Sequence, residues 1–111
     1  MKFQDLLIWQ KAIAIVKIVY AETGNFPEQE KFGLVSQMRR SAVSIPSNIA
    51  EGNGRKSKKE FLQFLNIARG SLSELETQII IAEELKLLKN EELRSQICEL
   101  YRMIHAFSRT L

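Results

Sequence analysis

The sequence is short of the residues that build small reactive sites. Its 111 residues include one cysteine, one histidine, two prolines and five glycines. A single cysteine excludes an internal disulfide and suits a reducing compartment, so a cytoplasmic protein is expected. One cysteine and one histidine cannot supply the four ligands of a structural zinc site, and no metal is expected. The residue three before His105 is Arg102, so the Glu-x-x-His pairs of di-iron bundles are missing. Gly52-Asn53-Gly54 before Arg55-Lys56-Ser57 lacks the spacing and the preceding strand of a phosphate loop. Glu74 and Glu76, two apart, fall on different helical faces and are poor partners for acid–base work. No enzyme and no cofactor is nominated. Scarce glycine and proline argue against a loop-rich or all-β chain. The most apolar stretch, Leu6 to Tyr20, carries Gln10, Lys11 and Lys17 and falls short of the roughly 20 apolar residues of a membrane span. No small-residue cleavage site follows it, so it does not read as a signal peptide.

What the chain does have is apolar residues, 45% of the total, in a repeated spacing of three and four. Val35, Met38, Ala42, Ile45 and Ile49 keep that spacing. Phe61, Leu65, Ala68, Leu72, Leu75, Ile79 and Ala82 keep it too, as do Leu93, Ile97, Leu100, Ile104, Phe107 and Leu111. A period near 3.5 places each set in one seam of a helix. The reading is one all-α domain over residues 1–111, with helices near 5–22, 29–53, 57–88 and 90–111. Short links between them predict an antiparallel up-down-up-down four-helix bundle. Asp5 and Asn90 are candidate N-caps, Ser57 with Glu60 forms a capping box, and Gly54 is a candidate left-handed C-cap. Pro46 lies inside helix two, where the missing amide predicts a kink. Ser41, Ser44, Ser47 and Asn48 surround it and can engage the freed backbone groups.

Helix one has more apolar surface than one seam can use. With Leu6, Trp9, Ile13, Val16 and Tyr20 assigned to the core, Leu7, Ile8, Ile15 and Ile18 are left over. Helix three carries a second line of Phe64, Ile67, Ile81, Leu85 and Leu88. Leu7, Ile8, Ile15, Ile18, Phe64 and Ile67 are therefore the expected interface of a homo-oligomer.

Charge is unevenly placed. Residues 31–59 hold seven basic residues and one acid, Glu51, while the remainder holds nine basic and twelve acidic residues. A net +6 segment thus sits beside a net −3 remainder, giving +3 in all. Arg55, Lys56, Lys58 and Lys59 cluster at the turn into helix three, and Arg39 and Arg40 form a second patch roughly 24 Å earlier along helix two. These six residues are the candidate nucleic-acid contacts. The basic turn carries no interleaved aromatic residue for stacking bases, and no helix-turn-helix or zinc-finger spacing is present. Contact through phosphates rather than sequence readout is expected. The alternative is an adaptor whose basic patch docks an acidic protein.

Residues 39–52 read RRSAVSIPSNIAEG, and residues 61–78 read FLQFLNIARGSLSELETQ. Together with DLLIWQKA at residues 5–12 and the pair Phe26-Pro27, they resemble the signatures of a bacterial family. Its members are four-helix bundles encoded in intervening sequences of 23S ribosomal RNA genes. The resemblance implies a non-catalytic bundle. It is related to accessory proteins of diversity-generating retroelements, which form homopentamers and bind nucleic acid and a reverse transcriptase. It places Arg39 and Arg40 at basic positions of the first signature, and Pro46, Asn48, Glu51 and Gly52 in its structural part. Gly70, lacking a side chain, is read as a point of close helix approach. The expectation is a pentameric RNA- or DNA-binding protein.

Overall fold

The computed structural model describes residues 1–111, and every regular element in it is helical. Four α-helices make up the chain: α1 Leu7–Thr23, α2 Ser36–Asn53, α3 Lys58–Glu84 and α4 Glu91–Ser108. A 3-10 turn at Phe3–Asp5 precedes α1, and a 3-10 turn and a wide π-turn at Glu28–Val35 lead into α2. Neighbouring helices run in opposite directions, as their cross-helix hydrogen bonds show. Between α1 and α4, Lys11 donates to Gln96 at 2.6 Å and Asn90 to Glu22 at 2.7 Å. Between α2 and α3, Ser41 donates to Glu74 at 3.0 Å, and the Ser44 and Ser71 hydroxyls lie 2.8 Å apart. Between α3 and α4, Arg94 donates to Glu83 at 2.6 Å, and the Ser73 and Tyr101 hydroxyls lie 2.7 Å apart.

The core is the expected seam in three of the four helices. Met38, Ala42, Ile45 and Ile49 of α2, Leu65, Ala68, Leu72, Leu75, Ile79 and Ala82 of α3, and Leu93, Ile97, Leu100 and Ile104 of α4 are all buried. Helix α1 differs. Its buried stripe is Ile8, Ala12, Ile15 and Val19, not the line through Trp9, Ile13, Val16 and Tyr20. Ile8 and Ile15 are thus core residues of the single chain and have no surface to offer a second copy. The reason is position. α1 touches both α2 and α4, so the face between them must be its most apolar line. The flank through Trp9, Ile13 and Val16 lines a shallow cleft shared with Val43, Pro46 and Ala50 of α2, while Lys11 reaches Glu99 of α4 at 3.1 Å.

The helix ends bear out two caps and correct two others. Ser57 accepts from the Glu60 amide at 3.1 Å, and Asn90 accepts from the Leu93 amide at 2.9 Å. Asp5 does not cap α1, because the 3-10 turn ends there and Leu6 takes the N-cap position with no side-chain bond. Gly54 closes α2 in the right-handed region (φ −83°). The left-handed residue is instead Lys86 (φ 61°), which ends helix three at Glu84 rather than near residue 88. Its amide bonds the Glu83 carbonyl at 2.9 Å, and the Leu87 amide bonds the Ala82 carbonyl at 2.9 Å. That is the Schellman pattern, with lysine where glycine is usual.

α2 is a continuous α-helix through Pro46, so the chain does not break there, and the non-helical backbone lies ahead of α2 at Gly33 (φ −107°, ψ −107°). Ser47 donates to the Val43 carbonyl and Asn48 to the Ser44 carbonyl, each at 2.8 Å, so the polar residues around Pro46 do engage nearby backbone. The glycine of close approach is Gly52, not Gly70. A Cβ on Gly52 would lie 2.7 Å from Phe64 Cβ and 2.9 Å from Phe61 Cδ1, whereas one on Gly70 would meet nothing within 4 Å.

Candidate functional site

The basic residues fall at the two ends of α2 and are not brought together in one chain. At its C-terminal end, the turn Arg55–Ser57 and the start of α3 carry Arg55, Lys56, Lys58 and Lys59, all exposed. Arg55 is engaged: it pairs with Glu51 at 2.8 Å, and its guanidinium lies 4.8 Å from the centre of the Phe64 ring. Lys56, Lys58 and Lys59 have no carboxylate partner; the ion pairs of the molecule are Lys11–Glu99, Arg55–Glu51 and Arg94–Glu83. The turn is therefore a group of unpaired ammonium charges at the positive end of α3, one of whose free amides Ser57 already satisfies.

At the other end of α2 the two arginines are unlike each other. Arg39 is half-buried and fixed. Its Nε donates to Thr23 Oγ1 at 2.9 Å, its Nη2 donates to the Tyr20 carbonyl at 3.3 Å, and its guanidinium covers the Tyr20 ring at 4.4 Å. Arg40 is exposed and has neither an ion pair nor a side-chain hydrogen bond to the protein. Two adjoining clefts open beside it, sharing Arg40 and Ser44. The larger, about 600 Å³, runs past Tyr20, Lys31, Phe32, Val35 and Val43. The smaller, about 380 Å³, is lined only by polar residues, among them Gln37, Glu74 and Gln78. Gln78 is 7% exposed, and its Oε1 has no hydrogen-bond partner.

The six expected interface residues divide. Leu7 and Ile67 stand exposed, at 69% and 50%. Ile18 is half-buried against the core, Phe64 is half-buried with Arg55 beside its ring, and Ile8 and Ile15 are internal. Of the other exposed apolar side chains, Ile81 and Leu85 belong to the second line of helix three, and Tyr20 stands on the line assigned to the core of helix one; Phe32 at 90%, Val43 and Ile80 lie on no line the sequence singled out. Phe32 had a signal in the sequence, since it lies between Lys31 and Gly33 and outside every three-four spacing. Ile67, Ile81 and Leu85 share one outward stripe of α3, and Gly70 lies close to it.

No helix is long and apolar enough to cross a membrane. No curated protein matches the chain. A crystal structure of a protein of unknown function from the S23 ribosomal protein family of Bacteroides thetaiotaomicron has the same fold, with a TM-score of 0.79. The likeness covers 92% of this chain and 98% of that one at 23% identity. Residues 4–106 match the family model of the 23S rRNA-intervening sequence protein, and so the chain, through nearly its whole length, belongs to that family.

Proposed function

We propose that this protein is a non-catalytic homo-oligomer that binds RNA or DNA through its phosphates. One observation carries the reading: Arg40, Lys56, Lys58 and Lys59 are exposed cations without carboxylate partners, in a segment whose single acid, Glu51, is already bound to Arg55. Charges left unneutralised by the protein are available to displace counterions from a polyanion. One chain offers two small patches at opposite ends of α2. Several copies multiply them, and weak phosphate contacts then act together through effective concentration. The exposed apolar side chains Ile67 and Ile81 on α3, and Leu85 just past its end, support self-association. The family resemblance makes a pentamer in the cytoplasm the expected form.

The test has two parts. RNA affinity measured across salt concentrations should fall steeply, with a slope near −0.7 per phosphate contact for single strands. Replacing Lys56, Lys58 and Lys59 by alanine should weaken binding to all sequences alike and flatten that slope. A flat salt response, or no binding at low salt, would remove the nucleic-acid reading. Light scattering should give a multiple of 12.8 kDa, and a clean monomer would remove the oligomer.

A further inference from the structure

Phe32 is a phenyl ring held almost fully in water, 90% exposed. Leaving such a ring unburied forfeits stabilisation that burial would give. The backbone explains how it gets there. Gly33 departs from helical geometry inside the wide turn Lys31–Val35, so Phe32 is turned outward while Val35 returns to the interior. The larger cleft beside it is basic, with the Glu30 carboxylate standing near Gly33 outside its lining. The nine residues lining the adjacent cleft include Lys31, Arg39 and Arg40 and no acid. The Lys31 ammonium lies 5.6 Å from the centre of the Phe32 ring. Arg39 is already locked on Tyr20 and Thr23, so its charge is placed without further loss of side-chain freedom. At about 600 Å³ the cleft is within the size range of ligand sites.

We propose that this end of the bundle is a stacking site for single-stranded nucleic acid: a base lies on Phe32, and Lys31, Arg39 and Arg40 take the flanking phosphates. The proposal rests on the nucleic-acid reading above and deepens it by naming the strand type. Every base has a π-face, so an aromatic platform beside cations binds single strands with little regard to sequence. A duplex keeps its bases stacked on one another, and a ring reaches a base face there only by unstacking a step at a free-energy cost.

The experiment compares a labelled 12-nucleotide oligoadenylate with a 12-base-pair duplex at one salt concentration, by fluorescence polarisation. Phe32→Ala should weaken single-strand binding about 5- to 100-fold and leave duplex binding unchanged. Phe32→Trp should restore it. Arg40→Ala should weaken binding of both ligands. Exposure of Phe32 makes loss of the fold an unexpected outcome, and circular dichroism checks it. If the wild type binds oligoadenylate and Phe32→Ala binds it equally well, or loses single strand and duplex alike, the stacking site is refuted while the phosphate reading survives. If the wild type binds neither ligand, both fall. A change of mass in light scattering on Phe32→Ala would assign the ring to contact between copies and overturn the proposal. Phe32-dependent binding of an acidic peptide, with no effect of Phe32→Ala on oligoadenylate, would overturn it in favour of a protein partner.

Discussion

Gly52 and Gly70 both sit inside helices, and alanine at the two positions should act with opposite sign. In a helix interior alanine is favoured over glycine by about 1 kcal/mol. At Gly70 nothing lies within 4 Å of the added carbon, so Gly70→Ala should gain most of that amount. At Gly52 the new methyl would lie 2.7 Å from Phe64 Cβ and 2.9 Å from the Phe61 ring. Carbon atoms in good contact sit about 3.5–4.0 Å apart, so α2 and α3 would have to separate by close to 1 Å. Phe64 Cβ is bonded to the α3 backbone and cannot turn aside as the end of a long side chain could. Overpacking of this kind costs about 1–3 kcal/mol, and the propensity gain at the last turn of α2 offsets only part of it. Gly52→Ala should therefore lose about 1–2 kcal/mol, a fall in Tm of several degrees for a chain of this size. Thermal and urea unfolding followed by circular dichroism at one protein concentration would measure both variants, since self-association shifts apparent stability. A Gly52→Ala protein as stable as wild type, or a Gly70→Ala protein clearly weaker, would refute the reasoning from close approach.

Three other changes have defined signs. Lys86→Gly should stabilise by about 1 kcal/mol, because a lysine at φ 61° bears a steric cost that glycine lacks; urea unfolding showing no gain would contradict the Schellman assignment. Gln78→Met should leave stability unchanged or raise it by up to about 1 kcal/mol, because it removes a buried oxygen without a partner; a clear loss in the same assay would mean that the carboxamide is satisfied. Burial, and to a lesser extent the Glu76 carboxylate, raises the Tyr101 hydroxyl above its ordinary pKa of 10.0, while its bond with Ser73 lowers it in part. The folded chain thus holds that proton more tightly than the unfolded one. Its contribution is fully present below pH 10.0 and is lost as pH rises through the raised value. Wild type should lose stability above pH 10.0 more steeply than Tyr101→Phe, and parallel curves would show that the hydroxyl is not perturbed.

What the sequence settled by itself was local. The three-four spacing identified four helices and the buried seams of α2, α3 and α4, because the seam is the longest unbroken apolar line on each of those helices and a period is a property of neighbouring residues alone. Ser57 and Asn90 were legible as caps for the same reason, since a cap bonds an amide three residues away. The +6 segment could be counted without any structure. Tertiary structure decided the rest. Helix α1 is apolar on several sides, so only its place against α2 and α4 selected Ile8, Ala12, Ile15 and Val19 and withdrew Ile8 and Ile15 from the surface. Whether a glycine marks a close approach depends on what stands opposite, and that distinguished Gly52 from Gly70. Which arginine is free depends on partners far along the chain: Thr23 and Tyr20 hold Arg39, while Arg40 beside it has none. Local periodicity carries no information about such distant pairings, because they exist only once the helices have packed.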